Sequence, residues 1–79
     1  MSESGHTSEL YGSRTPTNRE RDVIRLVAEG LKNKEVGERI GTTEYVIKNY
    51  LRGIYDKVGV WNRLELALWY ERRRADGKI

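Results

Sequence analysis

One stretch of this sequence, residues 43–58, has the pattern of an amphipathic helix and leaves the chain few other ways to fold. At about 100° per residue, its aliphatic side chains fall within roughly a sixth of a turn on one side of a helix. These side chains are Ile47, Leu51, Ile54 and Val58. The opposite side carries Tyr45, Lys48, Asn49, Arg52 and Asp56. We therefore expect one side of this helix to be buried and the other to face the solvent.

The polar side of this helix has the chemistry of a surface that contacts nucleic acid. Lys and Arg donate hydrogen bonds to phosphates and to guanine, and Asn matches adenine bidentately in the major groove of DNA. Lys48, Asn49 and Arg52 supply these groups side by side, so we predict a recognition helix. A solvated helix face with the same residues is the simpler interpretation.

Length and composition limit the other possibilities. Seventy-nine residues make one small domain, near the size at which oligomerisation is a natural supplement to the hydrophobic core. The chain has no Cys and a single histidine, His6, so we expect neither a metal site nor a cofactor. Carboxylates such as Glu35, Glu38 and Asp56 are scattered among basic neighbours and leave no catalytic constellation, so we expect neither an enzyme nor a small-molecule substrate.

The apolar runs are all too short for a signal peptide or a membrane-spanning helix, so we expect a cytoplasmic protein without a membrane partner. The net charge is +3, and residues 1–16 contribute −1 through Glu3, Glu9 and Arg14. Residues 1–16 also lack an apolar period, and we predict that they form a disordered N-terminal arm. A minor-groove contact by this arm is the alternative, which its slight acidity disfavours.

Three further helices can be placed around the recognition helix. Thr17 and Glu20 fit a capping box, so a first helix starts near Asn18. A second, short helix lies within NKEVGERI, where Asn33 is the predicted N-cap and Gly37 could let another helix approach closely. Gly41 and Thr42 then turn the chain into the recognition helix, which gives a helix-turn-helix.

The fourth helix, from about residue 63 to residue 74, is apolar on two sides. Leu66 and Tyr70 lie on one side, while Leu64, Ala67 and Leu68 lie almost opposite. A small monomer can bury only one of these sides well, so the other requires a partner. The basic residues that follow are interpreted as a solvated end, with DNA contact as the alternative, and residues 76–79 form a C-terminal tail.

The segments TNRERDVIRLVAEG, LKNKEVGERIG, VIKNYLRGIYDKVGV and NRLEL, taken together, resemble the LuxR-type (GerE-type) helix-turn-helix domain of bacterial regulators. The resemblance runs from Thr17 to about Tyr70. It implies an all-α, compact four-helix domain over residues 17–75, in which the fourth helix forms a two-fold dimer on double-stranded DNA. RNA polymerase is a further candidate partner of such a regulator.

The resemblance also implies roles for individual residues. Lys48, Asn49 and Arg52 occupy positions that usually face bases, and Tyr45 joins them on the same side. The positions close to the phosphate backbone are Lys34, Thr43, Tyr50 and Lys57. The predicted dimer seam consists of Leu64, Ala67 and Leu68, which leaves Leu66 and Tyr70 for the domain core.

Several residues depart from the family pattern, and they bear on affinity and target more than on the fold. Val46 replaces a usual Thr and loses a hydroxyl group, whereas tyrosines can still donate to phosphate where His is common. A glycine in the interior of the recognition helix weakens that helix. The departures are Pro16, Tyr45, Val46, Tyr50, Gly53 and Trp61.

Two functions remain open at this stage. The first is a sequence-specific transcription regulator that binds a palindromic DNA site as a homodimer. The second is a protein-interaction module, an adaptor or antagonist that captures a related regulator through the fourth helix. Lys48, Asn49 and Arg52 favour the first, because an interaction module has no need to align them. Met1 and the N-terminal arm favour a stand-alone regulator.

Overall fold

The computed structural model describes residues 15–77, and every regular element in that range is an α-helix. The helices are α1 (Asn18–Ala28), α2 (Asn33–Ile40), α3 (Glu44–Val58) and α4 (Arg63–Ala75). This confirms the predicted all-α, four-helix fold. The proposed N-terminal arm falls mainly on residues 1–14, which lie outside the described residues together with residues 78 and 79.

Helix α1 begins with the predicted capping box. The Glu20 amide donates to Thr17 Oγ1 at 3.1 Å, and the Thr17 amide donates to Glu20 Oε1 at 2.9 Å. These two bonds satisfy donors that a helix start leaves without an intrahelical partner. At the other end, Gly30 adopts φ +98, a left-handed conformation that ends the helix.

Helix α2 begins one residue earlier than the predicted N-cap at Asn33 implies. Lys32 occupies the N-cap, and Asn33 is the first helical residue. The Lys side chain carries no acceptor, so the cap is made by the Glu35 carboxylate, whose Oε1 accepts from the Lys32 amide at 2.7 Å. The amide side chain of Asn33 is used elsewhere, in a tertiary contact described below.

The turn between α2 and α3 depends on two glycines. Gly41 has φ +93, and its amide donates to the Gly37 carbonyl at 2.8 Å. A Cβ atom built on Gly37 would lie 2.9 Å from the carbonyl carbon of Thr43. The close approach predicted at Gly37 is present, but the prediction of a helix as the neighbour is wrong, because the approaching segment is the backbone of the turn. Thr43 then caps α3 by accepting from the Val46 amide at 3.2 Å.

The hydrophobic core lies where all four helices meet. Helix α1 packs mainly against α4, and α2 packs mainly against α3. The ten buried hydrophobic residues are Val23, Ile24, Leu26, Val27, Val36, Ile47, Leu51, Ile54, Leu66 and Tyr70. Within residues 15–77 the buried class contains no charged or polar residue, so burial of apolar surface is the main force that holds this fold together.

The short connection between α3 and α4 has a cap at each end. Gly59 ends α3 with φ +82, and Asn62 Oδ1 accepts from the Glu65 amide at 2.9 Å. The Glu65 carboxylate in turn accepts from the Trp61 amide at 2.7 Å. The helix extends one residue beyond its predicted end, to Ala75.

Candidate nucleic-acid interface

Helix α3 presents the two sides that its sequence predicts. Ile47 and Ile54 have no exposed surface and Leu51 is 4% exposed, whereas Lys48 and Arg52 are exposed. Burial of its apolar side fixes the rotation of α3 about its own axis. Any other rotation would bring Lys and Arg side chains into a core that offers them no hydrogen-bond acceptors. The cationic side is therefore held outward by the packing of the opposite side.

Residues from three helices line a shallow groove of about 400 Å³ beside this exposed side. Helix α2 contributes its first residue, α3 contributes its polar side, and α4 contributes its first residue. The lining residues are Asn33, Tyr45, Lys48, Asn49, Leu51, Arg52, Tyr55 and Arg63. The structure thus brings together all four residues that the sequence predicts as base-contacting. Tyr45 is 71% exposed, so its phenol group is accessible from the solvent.

Arg63 is a member of this groove that sequence reasoning missed. Its Nη1 donates to Asn33 Oδ1 at 2.5 Å, and its Nη2 donates to the Leu31 carbonyl at 2.6 Å. The guanidinium group therefore ties the start of α4 to the start of α2. A signal for it was present in the sequence, because a cation at the first position of a helix opposes the positive end of the helix dipole and so suggests a tertiary partner.

The residues predicted near the phosphate backbone are spread over the surface around α3. Lys34 is exposed in the first turn of α2, and Thr43 is exposed at the N-cap of α3. Tyr50 is half-buried and packs against the core, so it faces a different direction from Lys48. None of these three residues lines the groove.

Lys57 is engaged within the protein. Its Nζ lies 2.9 Å from Glu20 Oε1, and the side chains of Lys57 and Glu20 are only 23% and 15% exposed. Burial by itself would raise the pKa of the Glu20 carboxyl, but hydrogen bonds from Lys57 and Thr17 and the charge of Lys57 outweigh it and lower that pKa. The same Glu20 oxygen also accepts from the Thr17 amide, so one carboxylate caps α1 and holds the last turn of α3.

Tyr55 lines the groove and is half-buried against the hydrophobic core. Burial raises the pKa of its phenol group, and the nearby positive charge of Arg63 partly opposes that effect. A neutral phenol hydroxyl can both donate and accept a hydrogen bond.

The two apolar sides of α4 have different environments. Leu66 has no exposed surface and Tyr70 is 8% exposed, which confirms their placement in the core. Leu64 and Leu68 are 68% and 54% exposed, and Ala67 between them is half-buried. These three residues form an accessible apolar strip, and their role in a dimer stays a prediction.

Metal-binding clusters and membrane-spanning helices are both absent from residues 15–77. No group of three or more His, Asp or Glu side chains there is arranged to hold a metal ion. None of the four described helices combines the length and the apolar character that crossing a membrane requires.

Comparison with known proteins decides the family. Residues 16–70 match the family model described as bacterial regulatory proteins, luxR family. The chain belongs to this family. The match covers all of α1, α2 and α3 and the core-facing residues of α4, so it includes the whole groove of this luxR-family domain.

Several curated proteins resemble this luxR-family domain over nearly the same residues. A Mycobacterium bovis protein named as an HTH-type transcriptional regulator is 43% identical over 72% of the chain. The Escherichia coli nitrate/nitrite response regulator protein NarL is 36% identical over 73% of the chain, and the Bacillus subtilis transcriptional regulatory protein DesR is 36% identical over 72%. The matched segment spans 6%, 27% and 29% of the lengths of these three relatives.

Proposed function

We propose that this luxR-family domain binds double-stranded DNA sequence-specifically and regulates transcription, with α3 in the major groove. The observation that carries the proposal is the alignment of Lys48, Asn49 and Arg52 along the exposed side of a helix whose other side is fixed in the core. A major groove about 12 Å wide accepts a helix of about 10–12 Å diameter. The relatives are named as transcriptional regulators, which supports the same function for this chain.

Within this proposal the residues divide between sequence reading and backbone contact. Arg52 and Lys48 are long enough to reach guanine, Asn49 can pair with adenine, and Tyr45 extends the same surface. Lys34 and Thr43 lie at helix starts, where backbone amides and side chains commonly contact phosphate. Tyr50 and Lys57 complete the backbone set, and Lys57 would have to share its charge with Glu20 to do so.

The reading surface can be tested by selecting bound duplexes from a random pool and then measuring affinity against salt. Arg52→Ala or Lys48→Ala should weaken binding to the selected site by about 1–3 kcal/mol and relax the preference at one base pair. Lys34→Ala should weaken binding to all duplexes alike and lower the salt slope by about 1. Unchanged binding in all three variants would refute the assignment of α3 as the recognition helix.

We further propose that the domain binds a palindromic site as a homodimer through the strip formed by Leu64, Ala67 and Leu68. Exposed leucines one helical turn apart with a small residue between them suit a self-complementary helix pair. One helix pair buries little area, so two half-sites about one turn of DNA apart would hold the subunits together. A regulator bound at such a site has RNA polymerase as a candidate partner.

The dimer strip has a matched internal control on the opposite side of α4. Leu68→Glu places a charge on the exposed strip and should abolish dimerisation in sedimentation and cooperative binding to the palindrome, while circular dichroism stays unchanged. Leu66→Glu places the same charge in the core, where an unpaired carboxylate is costly, and should unfold the domain. A folded Leu66→Glu variant would mean that the two sides of α4 are reversed.

The second candidate function is a protein-interaction module that pairs with a related regulator. The exposed apolar residues of α4 and its surroundings favour it, since Leu64, Leu68 and the 86% exposed Trp61 could contact another protein. The random-pool selection separates the two functions. An enriched palindrome supports the DNA-binding regulator, whereas a folded domain that enriches no sequence and forms a heterodimer supports the interaction module.

A further inference from the structure

The contact between Arg63 and Asn33 fixes more than the packing of two helices. A guanidinium group donates hydrogen bonds and cannot accept them, so the Asn33 atom that faces Nη1 at 2.5 Å must be the carbonyl oxygen. The other terminal group of the Asn33 amide is therefore the NH2 group. The Asn33 side chain is half-buried and lines the groove. Because Arg63 uses the oxygen of this amide, Asn33 offers a further ligand the N–H donors of its NH2 group.

Arg63 itself retains hydrogen-bonding capacity. A guanidinium group has five N–H donors, and the bonds to Asn33 Oδ1 and the Leu31 carbonyl use one on Nη1 and one on Nη2. The side chain is half-buried and anchored at both terminal nitrogens, so little side-chain entropy remains to be lost when an anion binds. Arg63 and Asn33 therefore bring a fixed charge and several donors to one point.

The position of these two residues in their helices adds to the positive potential. Asn33 is the first residue of the eight-residue α2, and Arg63 is the first residue of α4. Two helix N-termini, each with a partial positive charge, thus meet at the groove. The carboxylates of Glu35 and Glu65 in these first turns accept from backbone amides, and neither carboxylate lines the groove.

From these contacts we infer that Asn33 and Arg63 form a binding site for one phosphate of the DNA backbone. This inference rests on the proposed DNA-binding function and adds to it two residues for which the sequence alone predicts no DNA contact. The groove also contains Lys48, Asn49 and Arg52, so a phosphate bound by Asn33 and Arg63 would lie beside the helix that reads the bases. Such a contact positions the recognition helix and carries no sequence information by itself.

The test is an isosteric change that keeps the Arg63 contact and removes the donor. Asn33→Asp retains an oxygen for Arg63 Nη1, so the melting temperature should not fall. It replaces the NH2 group with a carboxylate oxygen and neutralises the positive charge of the site. Affinity should therefore fall about tenfold or more on the selected duplex and on random duplexes alike, and the salt slope should fall by about 1.

Asn18→Asp is the matched control. Asn18 is the first residue of α1, and its Oδ1 accepts from Arg21 just as Asn33 Oδ1 accepts from Arg63, but Asn18 does not line the groove. The Asn18→Asp variant introduces the same charge at the first residue of a helix and beside an Arg side chain, but outside the groove. Its affinity should change by less than about twofold, with an unchanged salt slope. Arg63→Gln is a second probe, in which the salt slope should also fall by about 1.

The outcomes separate this inference from the function on which it rests. If the wild type selects a DNA sequence but Asn33→Asp binds like Asn18→Asp, the phosphate site is wrong and the recognition helix stands. An Arg63→Gln variant that loses stability while keeping the wild-type salt slope would likewise assign Arg63 a purely structural role. If the wild type binds no duplex at any salt concentration, both the proposed function and the phosphate site are wrong.

Discussion

Replacing Gly37 with Ala should destabilise the domain, although the same change in most helix interiors is stabilising. A Cβ atom at this position would lie 2.9 Å from Thr43 C, 3.0 Å from Thr42 O and 3.1 Å from Thr43 O. All three are backbone atoms of the turn between α2 and α3, and they cannot move aside by rotating a side chain. The turn, or α3 with it, would have to shift.

The magnitude follows from two opposing effects. Ala is favoured over Gly in a helix interior by about 1 kcal/mol. Overpacking in a close-packed region costs about 1–3 kcal/mol, and three backbone contacts place Gly37 towards the upper end of that range. The expected net result is a loss of about 1–2 kcal/mol in the free energy of unfolding, which lowers the melting temperature of a domain of this size by roughly 4–16 °C.

Gly53 supplies a matched control in the same protein. It lies in the interior of α3, and a Cβ atom there would meet nothing within 4 Å. Gly53→Ala should therefore stabilise the domain by about 1 kcal/mol. Because the gain in helix propensity is common to both variants, the difference between their free energies of unfolding isolates the cost of the contact with the turn.

The assay is urea unfolding followed by circular dichroism, with DNA affinity measured on the same samples. Gly37→Ala should bind DNA more weakly even under conditions where it is fully folded, since a displaced turn changes the position of α3 relative to α2. A Gly37→Ala variant as stable as Gly53→Ala would refute the reasoning, because it would show that the turn does not press on this position.

Two further predictions concern the core and the ion pair. Leu51→Ala should lower the free energy of unfolding by about 2–5 kcal/mol, because Leu51 is 4% exposed at the centre of the core; a wild-type melting temperature would mean that α3 is rotated. The pKa of Glu20 is lowered in the folded protein, so the unfolded chain binds the proton first as pH falls, and stability should decrease as the pH drops below about 4.5. Glu20→Gln preserves the capping box and should make this decrease shallower in acid titrations of stability, as should Lys57→Met; an unchanged slope in both would contradict the role of the pair.

The sequence by itself determined the helices and the buried side of α3, whereas the apolar pattern of α4 allowed two buried sides and left the choice to the family resemblance. Capping residues such as Thr17, Thr43 and Asn62 act within one turn of the chain, so their hydrogen bonds could be predicted from spacing alone. The period of the apolar residues in α3 likewise determined that Lys48 and Arg52 face outward.

The tertiary structure decided the contacts between residues far apart in the chain. Asn33 was predicted as an N-cap, a local role, yet its amide is bound to Arg63, thirty residues later. Lys57 was predicted to lie close to the phosphate backbone of DNA, yet Glu20 of α1 lies 2.9 Å from its ammonium group. Helical periodicity gives the direction of a side chain but not the neighbour that packing brings to it, and long charged side chains can reach several partners. The set of residues that line the groove therefore depends on how α2, α3 and α4 pack together. No single segment of the sequence specifies this packing.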